Sequence, residues 1–559
     1  MAQRLQWSPE LTARVFRVPA SRWALRLAAA TTGGLLGVAF GILLADREFL
    51  ALLTAILVAG ALAGAVRVVV PRRVRGPFSV AMALAFAVHL AVLVVLHVAL
   101  VAMGRGGFVT GDDASYARVA WLIASAARGE PTAFDRTYDG FLLGTFVYAE
   151  AAVFYLVGYQ VLVAKMLLLG VGLALVIFVF DIAHRIFDEA SGALAAVLVA
   201  FYPSLVVWSS LNLKDPLAGL LAGLVLWAIA RFQLRPRGIF VALALLFLIP
   251  MYELRSTIYP GLLLAIVAGL VLSPRFIRPR LMRAFVVGVV GLGIAATAFA
   301  AFDRGYAVAA LRSMEYQRQF MPVGARTGFG DTNPIPISLG ATLVVQEAGA
   351  FPWLGTLDEA SRSREPIRVV RVGVNARVAS ASWNGQGTSS PGDVVRLNPG
   401  DLVVIGEPTT APAPREQWAA LNLPAGTQAR LTDGLETAQE TYARISAYFP
   451  MGVAYALFAP VPWTIARAQD LLTAPEMLLW YLLMTAAVLT LIRFRDKWWL
   501  LLPLVLFVAT FTAAMALTEG NVGTIFRHRA MIIPFVIVLA APSLLWLGRM
   551  TLSALRRAS

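Results

Sequence analysis

The sequence predicts an all-α polytopic membrane protein of about twelve transmembrane helices, with a small β-rich extracytoplasmic insert. Three observations predict it. Of 559 residues, 59% are hydrophobic and only 14% charged, at a mean hydropathy of +0.74. Apolar runs of about 20 residues recur, each long enough to cross a hydrocarbon core of about 30 Å. Arginines cluster between those runs in alternate loops, the pattern of chains that keep cations on the cytoplasmic side.

The runs fall at 24–45, 49–66, 78–103, 160–181, 191–208, 216–231, 238–251, 258–273, 284–302, 474–492, 498–517 and 531–548. The basic groups are Arg4, Arg14, Arg17 and Arg22, then "PRRVRGP", "RFQLRPRG", "SPRFIRPRLMR", "RFRDKWW" and the tail with Arg549, Arg556 and Arg557. Twelve spans and a cytoplasmic N-terminus put all of them on one side, so both termini are expected in the cytoplasm of a plasma-membrane protein. The stretch "FLLGTFVYAEAAVFYLVGYQ" (141–160) is apolar enough to cross. A crossing there would reverse every later loop, so it is read as a helix in the outer interface, with Glu150 near the headgroups. Two long segments are then external, 104–159 and 303–473. Within the second, about 365–410 alternates apolar and polar residues between Gly, Pro and Asn turns, which predicts a small β module. Residues 433–449 predict an amphipathic helix.

The formal charge of +15 is accounted for by retained cytoplasmic arginines, and nucleic acid is not an expected partner. With no cysteine there is no disulfide, thiolate metal site or cysteine nucleophile. The first apolar run lacks a small-residue cleavage site after it and is read as a retained span.

This topology gathers charge at the outer edge. Asp112, Asp113 and Arg118 open the first loop in "TGDDASYARVA"; Lys214 and Asp215 lie in "SSLNLKDP"; Glu253 and Arg255 lie in "MYELRST". Glu519, Arg527, His528 and Arg529 lie in "EGNVGTIFRHR". Each has a plainer role: Asp112 or Asp113 as helix N-cap, Lys214–Asp215 as a solvated turn or ion pair, Glu253–Arg255 as a local pair, and "RHR" as a snorkelling anchor. Their convergence on one face is the functional signal. Arginines and lysine at an outer interface suit a phosphate or pyrophosphate headgroup. A nearby carboxylate suits a general base acting on an attacking hydroxyl. A lipid-phosphate leaving group needs its charge stabilised more than protonated, so one base and several cations suffice. That kit fits glycosyl transfer from a polyprenyl-phosphate sugar, whereas a glycosidase needs two carboxyls flanking the bond.

On these residues the chain resembles the GT-C superfamily of membrane glycosyltransferases, whose relatives include protein O-mannosyltransferases and the lipid A aminoarabinose transferase. The acidic motif directly after a span, the interface helix at 141–159 and the block from "KMLLLGVGLALVIFVFDIAHR" to "SSLNLKDP" carry the resemblance. "PVPW" and "GNVGTIFRHR" resemble stretches of GT-C-like proteins of bacterial surface-polysaccharide pathways. The similarity covers roughly 78–300 well and 450–548 loosely. It departs in having Asp-Asp where those relatives have Asp-Glu, and an insert unlike their β-trefoil.

The resemblance divides the chain into an N-terminal hairpin (1–77), a transmembrane core (78–302) with external loop 104–159, an external insert (303–473) and C-terminal helices (474–559). It implies Asp112 or Asp113 as the catalytic carboxylate, with Asp112 preferred. Lys214, Arg255, Arg527, His528 and Arg529 would bind donor phosphate, supported by Asp215, Glu253 and Glu519. The implied partners are a polyprenyl-phosphate-linked sugar donor, a glycan, lipid or protein acceptor, and membrane lipid. No cofactor is demanded; Asp112, Asp113 and Glu253 supply oxygens that could ligate Mg²⁺ or Mn²⁺. Two other classes stay open. A ligase or polymerase of O-antigen type would place Arg and His in the large loop, and the four histidines lie elsewhere, at His89, His97, His184 and His528. A transporter would show broken helices and mid-depth polar residues; His89 and His97 are read instead as helix-packing residues.

Overall fold

The computed structural model describes residues 22–132, 144–273, 438–460, 473–519 and 522–558, together with six short strands between 335 and 432. It is a helical, multi-pass membrane protein in build. Eight described helices are long and apolar enough to cross a membrane, or nine if one bent pair is a single span. The expected span at 284–302, the basic segments 1–21 and 274–283, and residues 461–463 of "PVPW" lie outside the described residues.

Contacts divide the chain into two compact units. The first comprises Met1–Val287, Val461–Phe511 and Arg527–Ser559; the second comprises Gly288–Pro460 and Thr512–Phe526. In the first unit, α1 (Arg22–Ala45), α2 (Phe49–Val69) and α3 (Arg72–Ala102) precede α4 (Gly111–Ala127) and α5 (Thr145–Val157). Then follow α6 (Val161–Ile186), α7 (Glu189–Phe201), α8 (Pro203–Ser209), α9 (Asp215–Leu234), α10 (Gly238–Leu248), α11 (Met251–Leu254) and α12 (Tyr259–Val271). Helix α5 is 13 residues long, too short to cross. Its Glu150 is only 5% exposed, so it lies in the protein interior and not among headgroups as expected.

Helix α6 is the centre of this unit and packs on α2, α3, α7 and α9. Its approach to α7 is close because Gly192 faces the Phe180 carbonyl, which a Cβ there would meet at 2.9 Å. Small residues at such contacts replace the hydrophobic drive that lipid cannot supply. The outward faces are apolar, with Leu57, Val68 and Ile56 each more than half exposed, as helices facing acyl chains require. The apolar run expected at 191–208 breaks at Tyr202–Pro203, where α7 and α8 meet at 57°. His89 of α3 seals the break: its ring nitrogens lie 2.8 Å from Ser209 Oγ and 2.9 Å from the Ala200 carbonyl.

The second unit contains the strands and α13 (Ala438–Phe458), which starts near the expected amphipathic helix and runs further. The strands are β1 (Ile335–Ser338), β2 (Ile367–Val372), β3 (Val394–Arg396), β4 (Leu402–Gly406), β5 (Trp418–Leu423) and β6 (Gln428–Thr432). They pair in the orders β1-β6-β3 and β4-β2-β5. Helices α14 (Ala474–Arg493), α15 (Trp498–Thr518), α16 (Val522–Arg529) and α17 (Ile533–Ala558) complete the chain.

Candidate functional site

The site lies in the first unit, where α4, α9 and the end of α16 meet. Helix α9 opens on "DP": Pro216 suits a first turn, and Asp215 places its carboxylate where the helix N-terminus favours negative charge. Asp215 is 4% exposed. Its Oδ1 accepts from Arg255 Nη2, and its Oδ2 accepts from Arg527 Nε at 2.7 Å. Arg527 Nη1 then donates to Asp112 Oδ2 at 2.7 Å. One arginine thereby joins a buried carboxylate to one whose side chain is 56% exposed. Burial opposes the Arg527 charge, yet Asp215 and Asp112 together raise its pKa further, so the guanidinium stays charged. Lys214 stands beside this chain, 5.9 Å over the Tyr116 ring. Burial first, and the Arg255 charge second, pull its pKa down to about 8. His528 lies within electrostatic range of Asp215.

Neither aspartate caps α4 as expected. Thr110 is the N-cap and accepts from Asp113 N at 3.2 Å. Threonine wins because the cap must precede the first helical residue, and Asp112 and Asp113 already lie inside the turn. Asp113 reaches back to accept from Val109 N at 3.1 Å and is fully buried, while Asp112 faces out. The pair therefore splits into a structural carboxylate and an accessible one. Burial raises the Asp113 pKa.

Next to the Asp112 turn lies a polar cluster whose members the sequence did not bring together. Lys165 of α6 is 1% exposed and donates to the Gly107 carbonyl at 2.5 Å. Gly107 has φ +86°, and a Cβ there would come within 2.4 Å of the His97 ring, so only glycine fits. Asn212 donates to Glu150 Oε1 at 2.7 Å and to the Asp113 carbonyl at 3.3 Å. Burial pushes the Glu150 carboxyl up to about 8, against the Asn212 bond. These contacts hold the turn that presents Asp112. A lysine inside an apolar run was the one available signal.

Other expected site residues make contacts of their own outside this ion chain. Glu253 accepts from Thr145 Oγ1 at 2.7 Å and does not pair with Arg255, which turns to Asp215. Lys214 and Asp215 are not a solvated turn, because Asp215 is buried under two arginines. Arg529 is 1% exposed, donates to Met477 Sδ at 3.0 Å and stacks 5.4 Å from Trp480. Two residues along a helix is about 200° of rotation, so Arg527 and Arg529 leave α16 in different directions. Burial lowers the Arg529 pKa to about 10. Glu519 is in the second unit, with Thr518 Oγ1 at 3.5 Å. Among the described residues no three His, Asp or Glu come together as a metal site, and Asp112, Asp113 and Glu253 turn to three different partners.

An exposed carboxylate fixed by an arginine, beside a second arginine and a lysine, can accept a proton next to a bound anion. Compared with protein-family models, with curated proteins and with solved structures, the chain matches none.

Proposed function

We propose that this protein is a membrane glycosyltransferase of GT-C type that moves a sugar from a polyprenyl-phosphate-linked donor to an acceptor on the extracytoplasmic face, in cell-envelope glycan assembly. The observation that carries the reading is the Asp112–Arg527–Asp215–Arg255 chain with Lys214 beside it. In this reading Asp112 takes the proton of the acceptor hydroxyl, and Lys214, Arg255 and Arg527 face the donor phosphate as its bond to the sugar breaks. Asp215 preorganises both arginines, so little reorganisation is needed when charge develops. The fold proposed with it has twelve spans with both termini cytoplasmic, and the paired strands belong to an extracytoplasmic insert. The broken α7–α8 span is the feature that favours a transporter, but His89 fills that break with hydrogen bonds, which suits packing better.

The test is purified protein supplied with polyprenyl-phosphate sugar and a cell-envelope glycan extract. Release of polyprenyl phosphate together with a glycosylated product is the expected result; translocation of intact donor across vesicles without sugar transfer would establish the transporter instead. Orientation is checked by cysteine labelling, which is clean in a chain with no cysteine. A cysteine at 395 should label from outside and one at 235 should not.

A further inference from the structure

The opposite end of α9 carries a second arginine cluster that the proposed reaction does not use. Sixteen residues beyond Asp215, about 24 Å along the helix axis, Arg231 Nη1 lies 3.5 Å from Asp181 Oδ2. Arg185 Nε reaches the same oxygen at 2.7 Å, and Trp227 Nε1 donates to it at 2.8 Å. Asp181 is buried, while the two arginine side chains are 29% and 28% exposed. One carboxylate thus anchors two guanidinium groups through one nitrogen each, and more than a quarter of each arginine side chain stays exposed. Arg231 is held in a further direction by the Trp227 and Phe240 rings, 5.4 and 5.3 Å away. Arg235 closes α9 and Arg237 opens α10, both exposed. Two arginines therefore hold one carboxylate at this helix end, and two more lie exposed in the adjoining turn.

We propose that this cluster is a binding site for the phosphate of an anionic phospholipid from the adjacent leaflet. Arginine forks are matched to phosphate oxygens, and basic pockets between spans are suited to lipid headgroups. A lipid is favoured over a soluble anion by the rim: Ile239 and Leu246 of α10 are each 57% exposed beside Phe240, an apolar edge that acyl chains would cover. The aromatic pair Trp227 and Phe240, 6.0 Å apart, sits where interfacial rings anchor a span.

The test is native mass spectrometry of the full chain in detergent, with phosphatidylglycerol or phosphatidylcholine added. Wild type should retain phosphatidylglycerol at least fivefold better than phosphatidylcholine, and the Arg185→Gln/Arg231→Gln double variant should lose that preference. Should the double variant fail to fold, Arg235→Gln/Arg237→Gln, at exposed positions outside the Asp181 anchor, should still cut retention at least twofold. Equal retention of both lipids by wild type, or undiminished preference in folded variants, would overturn the site. Displacement of the lipid by millimolar inorganic phosphate would overturn the lipid as occupant and leave a soluble anion.

Discussion

At each end of α9 a buried aspartate lies under two arginines, Asp215 of α9 itself and Asp181 of α6, and the two solve the same electrostatic problem differently. Asp215 gives one oxygen to Arg255 and the other to Arg527, and all three side chains are at most 14% exposed. Arg527 has charge to spare and passes it to Asp112. Asp181 instead receives every contact on Oδ2, and its arginines stay more than a quarter exposed. The first network is closed: protein groups alone balance the charge and fix where Asp112 stands. The second is open, and solvent or headgroups finish the balance. Burial, more than the count of arginines, decides which end can position a reactive group.

The comparison breaks most directly at the aspartates. Asp215→Asn leaves two buried guanidinium groups without their carboxylate, a loss of about 3–5 kcal/mol for a buried pair stripped of one partner. Asp181→Asn should cost about 1 kcal/mol or less, because Arg185 and Arg231 can turn to water. Thermal unfolding of both variants in detergent measures this, and equal losses would erase the distinction between closed and open networks.

Within the closed end, the exposed carboxylate and the helix cap should separate cleanly. Asp112→Asn should lower the rate of sugar transfer by about 10²–10⁴-fold, the usual loss of a general base, with unfolding temperature unchanged. Thr110→Ala should do the reverse, costing about 0.5–2 kcal/mol of stability with a smaller loss of rate. Single-turnover transfer and thermal unfolding on the same preparations decide it; near-normal transfer by Asp112→Asn would reduce the opening motif to a helix start.

The smallest effect is on pH. Lys214 has its pKa lowered to about 8, so its cation is present below that pH and lost above it. The charged fraction falls roughly tenfold between pH 7 and pH 9 for such a group, and donor affinity should fall with it. Lys214→Arg keeps its charge and should flatten the profile. A wild-type affinity constant across that range would place Lys214 outside the donor site.

Much of this was legible in the chain. Charges next to apolar runs are costly and therefore few, which is why Asp112, Lys214, Arg255 and Arg527 stood out before any geometry was known. The division between Asp112 and Asp113 was not legible, because it depends on Thr110 taking the cap and turning one carboxylate inward. Arg527 and Arg529 read as one basic triplet until helical rotation sent Arg529 to Trp480. Glu150 looked interfacial because its neighbours are aromatic, and only the long-range contact with Asn212 places it inside. Lys165 was visible as a rare lysine, but its partner is a backbone carbonyl 58 positions away, which no local pattern encodes.

The bond from Arg527 to Asp112 spans 415 positions and that to Asp215 spans 312, which sets an order of biogenesis. Asp112, Asp215 and Arg255 leave the ribosome well before Arg527, by about 14–83 s at ordinary elongation rates of about 5–20 residues per second. During that interval Asp215 has Arg255 alone, and Asp112 has no arginine to hold it. The reactive geometry is therefore completed last, by one of the final helices to insert, and a chain truncated before α16 would reach the membrane without it.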